Sequence, residues 1–244
     1  MTASRLDTAL VERGLVTTRQ KAQALIRAGQ VRLDSRPVDR VDLRVDETAR
    51  LEVMAQPRYV SRGGDKLRGA LDVLGVAARD RVCLDAGAST GGFTDVLLQD
   101  GAQMVYAVDV GYGQLDWKLR QDPRVVVMER TNIRDLVELP GPPPTLAVGD
   151  LSFISLQRVV PAIRGLLARP AEMVLLLKPQ FQVGRERIGK GGIVRDEETR
   201  QDALREFTGW AAETGLVVVA SVDSAVAGAR GNREIFVHVR EDLE

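Results

Sequence analysis

The chain has 244 residues, 44% hydrophobic and 28% charged, ordinary for a folded protein and long enough for one large domain plus a small one, or two of moderate size. A single cysteine, Cys83, and a single histidine, His238, exclude an internal disulfide and a Cys/His zinc cluster and fit a reducing compartment. Formal net charge is zero, so nucleic acid would have to be recognised by a local basic surface and not by the whole molecule.

No signal-peptide core is visible in Met1 to Leu10, and the longest apolar runs, Met173–Leu177 and Leu216–Ala220, are too short to span a bilayer. The expectation is a cytoplasmic protein with no membrane partner and no metal. Cys83 lies in a predicted buried strand and reads as a small core residue, and His238, in a terminal strand, reads as structural.

Basic residues concentrate early. Residues 1–60 carry eleven Lys/Arg against eight Asp/Glu, and Arg13 to Arg36 holds six basic residues with one acid, Asp34. The pattern predicts a short helix from Leu6 to Arg13, ended by Gly14. A second helix is capped by Thr17 or Thr18 and stops before Gly29. In that helix Ala22, Leu25 and Ile26 make one face, and Arg19, Gln23 and Arg27 another. Short alternating segments follow at Val31–Leu33, Leu43–Val45 and Leu51–Val53. Basic helices packed on a small sheet make an RNA-docking surface, although charge alone leaves open a merely solvated face. Ala55-Gln56-Pro57 reads as a linker, which divides the chain into 1–55, a linker 56–60 and 61–244.

From Ser61 the pattern changes to alternating helices and strands. A helix, Asp65 to Leu74, leads to a strand ending at Asp85. Strands follow at Met104–Val108, Val125–Met128, Thr145–Val148, Met173–Leu177, Leu216–Val222 and Ile235–Val239, with helices between most of them, including Leu156–Leu167 and Asp196–Glu213. This predicts an α/β fold with an open parallel sheet covered on both faces. The last two strands, joined only by a loop, form an antiparallel pair, the methyltransferase variant of the doubly wound fold.

The most informative stretch is Asp85-Ala86-Gly87-Ala88-Ser89-Thr90-Gly91-Gly92-Phe93-Thr94, between an apolar strand and an amphipathic helix starting at Phe93. It reads as a glycine-rich turn bringing backbone and a helix N-terminus close to a ligand. No Gly-Lys-Ser/Thr follows, and Ser89 breaks the dinucleotide fingerprint. An Asp at the strand end before Gly87 suits a zwitterionic ligand, S-adenosyl-L-methionine. Ligands of open α/β sheets bind beyond the carboxyl ends of the strands, and those ends carry Asp85, Asp109, Asn132, Asp135, Asp150 and Lys178. Asp109 suits the ribose hydroxyls of a nucleoside; its alternative is a helix cap. Asn132 is a candidate for the adenine amine or for a loop cap. Lys178 ends a run of apolar residues. To accept a proton from a hydroxyl its pKa would have to fall by about three units, on the order of 4 kcal/mol, and an adjacent Asp150 would oppose that. The alternative is that Lys178 stays charged and stabilises a developing alkoxide.

Lys66, Asp150, Lys178 and Glu234 resemble the Lys-Asp-Lys-Glu tetrad of FtsJ-like ribose 2′-O-methyltransferases. Over essentially its whole length the chain resembles the TlyA (hemolysin A) family. The segments Ser61–Leu67, Asp85–Thr94, Asp109–Leu115, Asp150–Leu156, Lys178–Phe181 and Gly231–Glu234 carry that resemblance. Arg5-Leu6-Asp7, Arg19–Ala22 and Ala28–Val31 are similar to an S4-type RNA-binding domain. The resemblance implies a Rossmann-like class I methyltransferase domain behind a small α+β S4-type domain. It implies methyl transfer from S-adenosyl-L-methionine to a cytidine 2′-hydroxyl of ribosomal RNA, with ribosomal RNA or ribosomal subunits as partners. Lys178 would be general base or alkoxide stabiliser, Asp150 and Lys66 would tune and orient it, and Glu234 would hold Lys66 or the ribose. The cofactor would be held by Asp85, Gly87, Ser89, Thr90, Gly91, Gly92, Phe93, Asp109, Asn132 and Asp150, and RNA by Arg5, Arg19, Lys21 and Arg27. The loop Gln180–Arg195, rich in glycine, either closes over substrate or is simply a flexible connection.

Two other readings compete: a membrane-lytic hemolysin, opposed by the lack of a spanning segment, and a non-catalytic RNA-binding assembly factor, opposed by the intact tetrad. Deleting residues 1–60 should leave S-adenosyl-L-methionine binding intact, measured by calorimetry, while abolishing methylation of ribosomal RNA. Full activity of the truncated chain would contradict the two-module scheme.

Overall fold

In the computed structural model of the protein, residues 3–54, 57–184, 187–189, 191–228 and 231–242 are described. Ala55 and Gln56 of the expected linker, and positions 185, 186 and 190 of the glycine-rich loop, lie outside the described residues. The chain divides into two compact units, Met1–Pro57 and Arg58–Glu244.

The first unit begins with β1 (Ser4–Arg5) and α1 (Leu6–Glu12), followed by α2 (Arg19–Arg27). Thr18 caps α2, its Oγ1 accepting a hydrogen bond from Lys21 N at 3.2 Å. The strands β2 (Val31–Leu33), β3 (Arg36–Val38), β4 (Arg44–Val45) and β5 (Leu51–Val53) follow. β2 lies between β3 and β5, antiparallel to both, and β1 pairs with β4. β3 was not expected. The β2–β3 turn, Asp34-Ser35, holds both residues at positive φ (48° and 68°) without a glycine to announce it, and Pro37 is tolerated because β3 is an edge strand. Leu6, Leu10, Ile26 and Val31 are fully buried between helices and sheet.

The second unit runs α3 (Arg62–Leu74), β6 (Val82–Ala86), α4 (Gly92–Gln99), β7 (Met104–Val108), α5 (Trp117–Arg120), β8 (Val125–Met128) and β9 (Leu146–Gly149). It continues with α6 (Val160–Leu166), β10 (Glu172–Leu177), α7 (Pro179–Gln182), α8 (Glu197–Glu213), β11 (Leu216–Asp223) and β12 (Ile235–Glu241). The seven strands order as β11-β12-β10-β9-β6-β7-β8. β12 is antiparallel to both neighbours and the pairs from β10 to β8 are parallel, as the pattern predicts. Parallel strands covered on both faces need apolar residues on both, and Met173 to Leu177 are all buried.

Two local expectations are corrected. The stretch Leu156–Leu167 is not one helix: a 3₁₀ turn, Leu156–Arg158, precedes α6, and Pro161, which lacks an N–H, sits in the first turn of the new helix. α4 is not amphipathic. Gly92 to Leu98 are all buried, because α3 covers the helix on one side and β6 and β7 on the other. Among the described residues no helix is long and apolar enough to cross a membrane, and no His/Cys/Asp/Glu group could hold a metal.

The strand–turn–helix junction contains a fully buried acid. Asp85, on β6, accepts a hydrogen bond at Oδ2 from Thr94 Oγ1 at 2.7 Å, while its enclosed Oδ1 has no hydrogen-bond partner among the described residues. Burial pushes the carboxyl up to about 7 against the pull of the Thr94 bonds, and the nearby Asp150 and Asp109 push the same way. In the unfolded chain an Asp titrates near pH ~4. Between that value and about 7 the native state therefore holds a proton that the unfolded state has released, so stability falls as pH rises through this window. Asp85→Asn mimics the protonated acid. Its thermal midpoint relative to wild type should be higher at pH ~8 than at pH ~5 by roughly 3–8 °C in scanning calorimetry. An offset independent of pH would contradict this assignment.

Candidate active site

The strand arrangement brings distant residues to one edge of the sheet. Asp109 follows β7, Asp150 follows β9 and Lys178 follows β10. Because β12 runs the other way, its amino end lies at that same edge, with Ile235 opposite Leu177, and Glu234 stands just before it. Lys66 comes from α3.

These residues form two ion pairs. Lys66 Nζ donates to Glu234 Oε2 at 2.6 Å, with side chains 10% and 4% exposed. Lys178 Nζ lies 2.5 Å from Asp150 Oδ1 and donates to Ser152 Oγ at 2.8 Å. All four line one cavity of about 550 Å³, together with Gly87, Ser89, Thr90, Gly92 and Phe93 of the glycine-rich turn. Charges so far out of water are kept only by close pairing, since removing one partner leaves the other uncompensated.

An adjoining cavity of about 530 Å³ shares Gly87, Ser89, Asp150, Ser152 and Phe153 with the first. It is lined by Asp109 and Asn132 beside the apolar Val108, Ile133, Leu151 and Ile154. Asp109 accepts from Ser89 N at 2.8 Å and from Gly111 N at 2.6 Å, one bond to each oxygen, which leaves each a further lone pair. Asn132 does cap a turn: its Oδ1 accepts from Arg134 N at 3.1 Å at the start of the 3₁₀ turn Ile133–Asp135 while the residue lines the cavity.

Two of the turn's expected cofactor residues stand apart from the cavities' walls. Asp85 is buried behind it, on Thr94. Gly91 adopts φ 95°, and a Cβ there would meet the side chains of Leu119 and Leu115, so its role is to shape the turn. Gly87, at φ 85°, lies so close to the end of β9 that a Cβ would sit 2.8 Å from Asp150 O. The donor set fits S-adenosyl-L-methionine: a slot with apolar walls and a carboxylate for a nucleoside, continuous through a bare backbone turn with the cavity that holds the lysines.

Several residues of the site were not singled out from sequence. Ser152, which holds Lys178, is two positions after Asp150. Asn232, 3% exposed, accepts from Val194 N at 2.9 Å and donates to Gly192 O at 3.0 Å. It thereby clips the glycine-rich loop to the segment carrying Glu234, and it lines the larger cavity. Its only sequence signal is its place two residues before Glu234. Phe153 is 87% exposed at φ 65°, its ring 5.2 Å from that of Phe181. No sequence pattern reports such exposure.

Elsewhere, His238 Nε2 lies 2.9 Å from Glu172 Oε1 at the opposite end of β10, in a cluster with Arg81 and Arg240. Cys83 is fully buried, which pushes its thiol up to about 12 and leaves it no nucleophilic role. Of the residues expected to meet RNA, Arg5 and Arg19 converge on Asp7, and Lys21 and Arg27 are exposed along α2.

Comparison with known proteins agrees with this geometry. Residues 59–241 match the FtsJ-like methyltransferase family model and residues 4–51 the S4 domain. The chain is 48% identical to the 16S/23S rRNA (cytidine-2′-O)-methyltransferase TlyA of Mycobacterium tuberculosis, over 99% of this chain and 91% of that protein. It is 39% identical to Hemolysin A of Brachyspira hyodysenteriae, over 96% and 98%. A solved Streptococcus thermophilus structure bearing a hemolysin name superposes with a TM-score of 0.73 at 40% identity, covering all of this chain and 90% of that one. The tetrad cavity and mostly parallel sheet of this chain agree with these matches, and the chain belongs to the FtsJ-like methyltransferases and, among them, to the TlyA family.

Proposed function

We propose that the protein transfers the methyl group of S-adenosyl-L-methionine to the 2′-hydroxyl of cytidine in ribosomal RNA, 16S, 23S or both. Residues 1–55 serve as the RNA-binding domain, 56–60 as linker and 61–244 as catalytic domain. The observation that carries this reading is the convergence of Lys66, Asp150, Lys178 and Glu234 on one cavity next to the slot at Asp109.

When bound, S-adenosyl-L-methionine supplies an electrophilic sulfonium methyl. Asp109 would accept hydrogen bonds from the ribose hydroxyls of its nucleoside, Asn132 would meet the adenine edge, and the turn from Gly87 to Phe93 would receive the methionine end. Asp85 supports that turn from behind, through Thr94. In-line displacement then depends on how the acceptor oxygen is placed and on where its proton goes.

Lys178 meets the acceptor oxygen. Its ammonium donates one N–H to Ser152 and lies in ion-pair contact with Asp150 with no hydrogen bond between the two, so N–H groups remain for substrate. That geometry favours the alkoxide-stabilising role: the ammonium would donate to the oxygen as negative charge builds there, and the hydroxyl proton would pass to the Asp150 carboxylate, the basic member of the pair, as the methyl's bond to the acceptor oxygen replaces its bond to sulfur. Glu234 is engaged with Lys66, so it orients that lysine in preference to the ribose.

Lys178→Ala should lower methyl transfer from tritiated S-adenosyl-L-methionine to ribosomal subunits by at least about a hundredfold, while cofactor affinity changes less than about threefold. A comparable loss of cofactor affinity would show that Lys178 belongs to the cofactor site. No transfer by the unsubstituted protein to either subunit, with cofactor still bound, would favour a non-catalytic assembly role.

A further inference from the structure

Asp7 is an acid in the middle of the arginines expected to hold RNA, and it is fully buried. Its Oδ1 accepts from Arg5 Nε at 3.1 Å, and its Oδ2 from Arg5 Nη2 at 3.3 Å, Arg19 Nε at 2.8 Å and Gln23 Nε2 at 2.7 Å. Thr8 Oγ1 adds a longer contact to Oδ1 at 3.4 Å. Burial alone would raise this carboxyl, yet the bonds from Arg5, Gln23 and Arg19 hold it well below the usual carboxylate range, so it is ionised throughout the neutral range. The two arginine side chains nevertheless remain accessible, 41% and 56% exposed.

We propose that Asp7 is a positioning residue for RNA recognition, fixing Arg5 and Arg19 in one orientation so that both present their outer N–H edges to the RNA backbone together. This rests on reading the first unit as the RNA-binding module. The carboxylate engages Arg5 along its Nε–Nη2 edge and Arg19 at Nε, which aims the opposite edge of each planar fork away from it. A long flexible arginine ordinarily loses much freedom when it grips a phosphate, and ordering it beforehand reduces that loss. The arrangement also joins distant segments, since Arg5 precedes α1 while Arg19 and Gln23 lie on α2, four residues apart on one face.

Charge and positioning predict opposite signs. Removing an acid from beside phosphate-binding arginines should strengthen RNA binding if only net charge matters, because the repulsion acts well within the ~10 Å screening length at ~0.1 M salt. If Asp7 positions the arginines, removing its charge weakens binding instead. In the full-length chain, Asp7→Asn should bind purified ribosomal subunits about tenfold more weakly at roughly 100 mM salt, with a log K against log salt slope shallower by about one to two. Arg19→Ala should cost little more in the Asp7→Asn background, and cofactor affinity should not change. Binding by Asp7→Asn as tight as wild type, or tighter, would overturn the proposal. Wild-type affinity in the Arg5→Ala/Arg19→Ala double variant would instead overturn the RNA-binding reading itself. Should Asp7→Asn unfold the first unit, the unsubstituted protein still decides by NMR. The Arg5 and Arg19 side-chain Nε–H protons should exchange slowly with water, and fast exchange would overturn the clamp.

Discussion

The active edge of this protein depends on two lysine–carboxylate pairs, one buried and one part-buried. Lys66–Glu234 joins α3 to the start of β12, residues 168 positions apart, and Lys178–Asp150 joins the ends of β10 and β9. Neither pair is there to stabilise the fold cheaply, because desolvating such charges costs about as much as their attraction returns, and apolar residues of the same volume would hold these segments as well. On the proposed mechanism their presence in the cavity wall has a chemical reason: a cation held still, largely out of water, where negative charge would develop on an acceptor oxygen.

The rest of the second unit supports that arrangement. A mostly parallel sheet with both faces covered places strand ends, and with them Asp109, Asp150 and Lys178, along one edge. The single reversed strand matters because it alone brings Glu234 to the same edge from the far end of the chain. Asn232 and the arginine network at Arg200, Glu197, Asp223 and Arg233 brace the segment around Glu234 from the side of α8. In the first unit the same device recurs with a different purpose: one buried carboxylate, Asp7, gathers Arg5 and Arg19.

Much of this was legible in the residues. The apolar runs of a two-sided parallel sheet, the glycine turn after Asp85 and the polar residue following each strand all leave local patterns, so the strands and the strand-end candidates could be placed. What escaped depends on contacts made across the fold. The full burial of α4 comes from α3 packing on its outer side, which its own sequence does not encode. The break before α6 turns on Pro161, and the β2–β3 hairpin on a turn without glycine. The pairing within the tetrad was open as well: Glu234 could have met Lys66 or a ribose, and only geometry assigns it to Lys66. The contacts of Asp7 with Arg5, Arg19 and Gln23 join segments up to 16 residues apart and leave no local pattern.

On the proposed function, this cavity methylates a ribose hydroxyl. The direct test incubates purified protein with ribosomal subunits and S-adenosyl-L-methionine carrying an isotopically labelled methyl group, digests the RNA to nucleosides and identifies the labelled species by mass spectrometry. Label in 2′-O-methylcytidine is the predicted result. Label on a nucleobase, or in no nucleoside from either subunit, would contradict it.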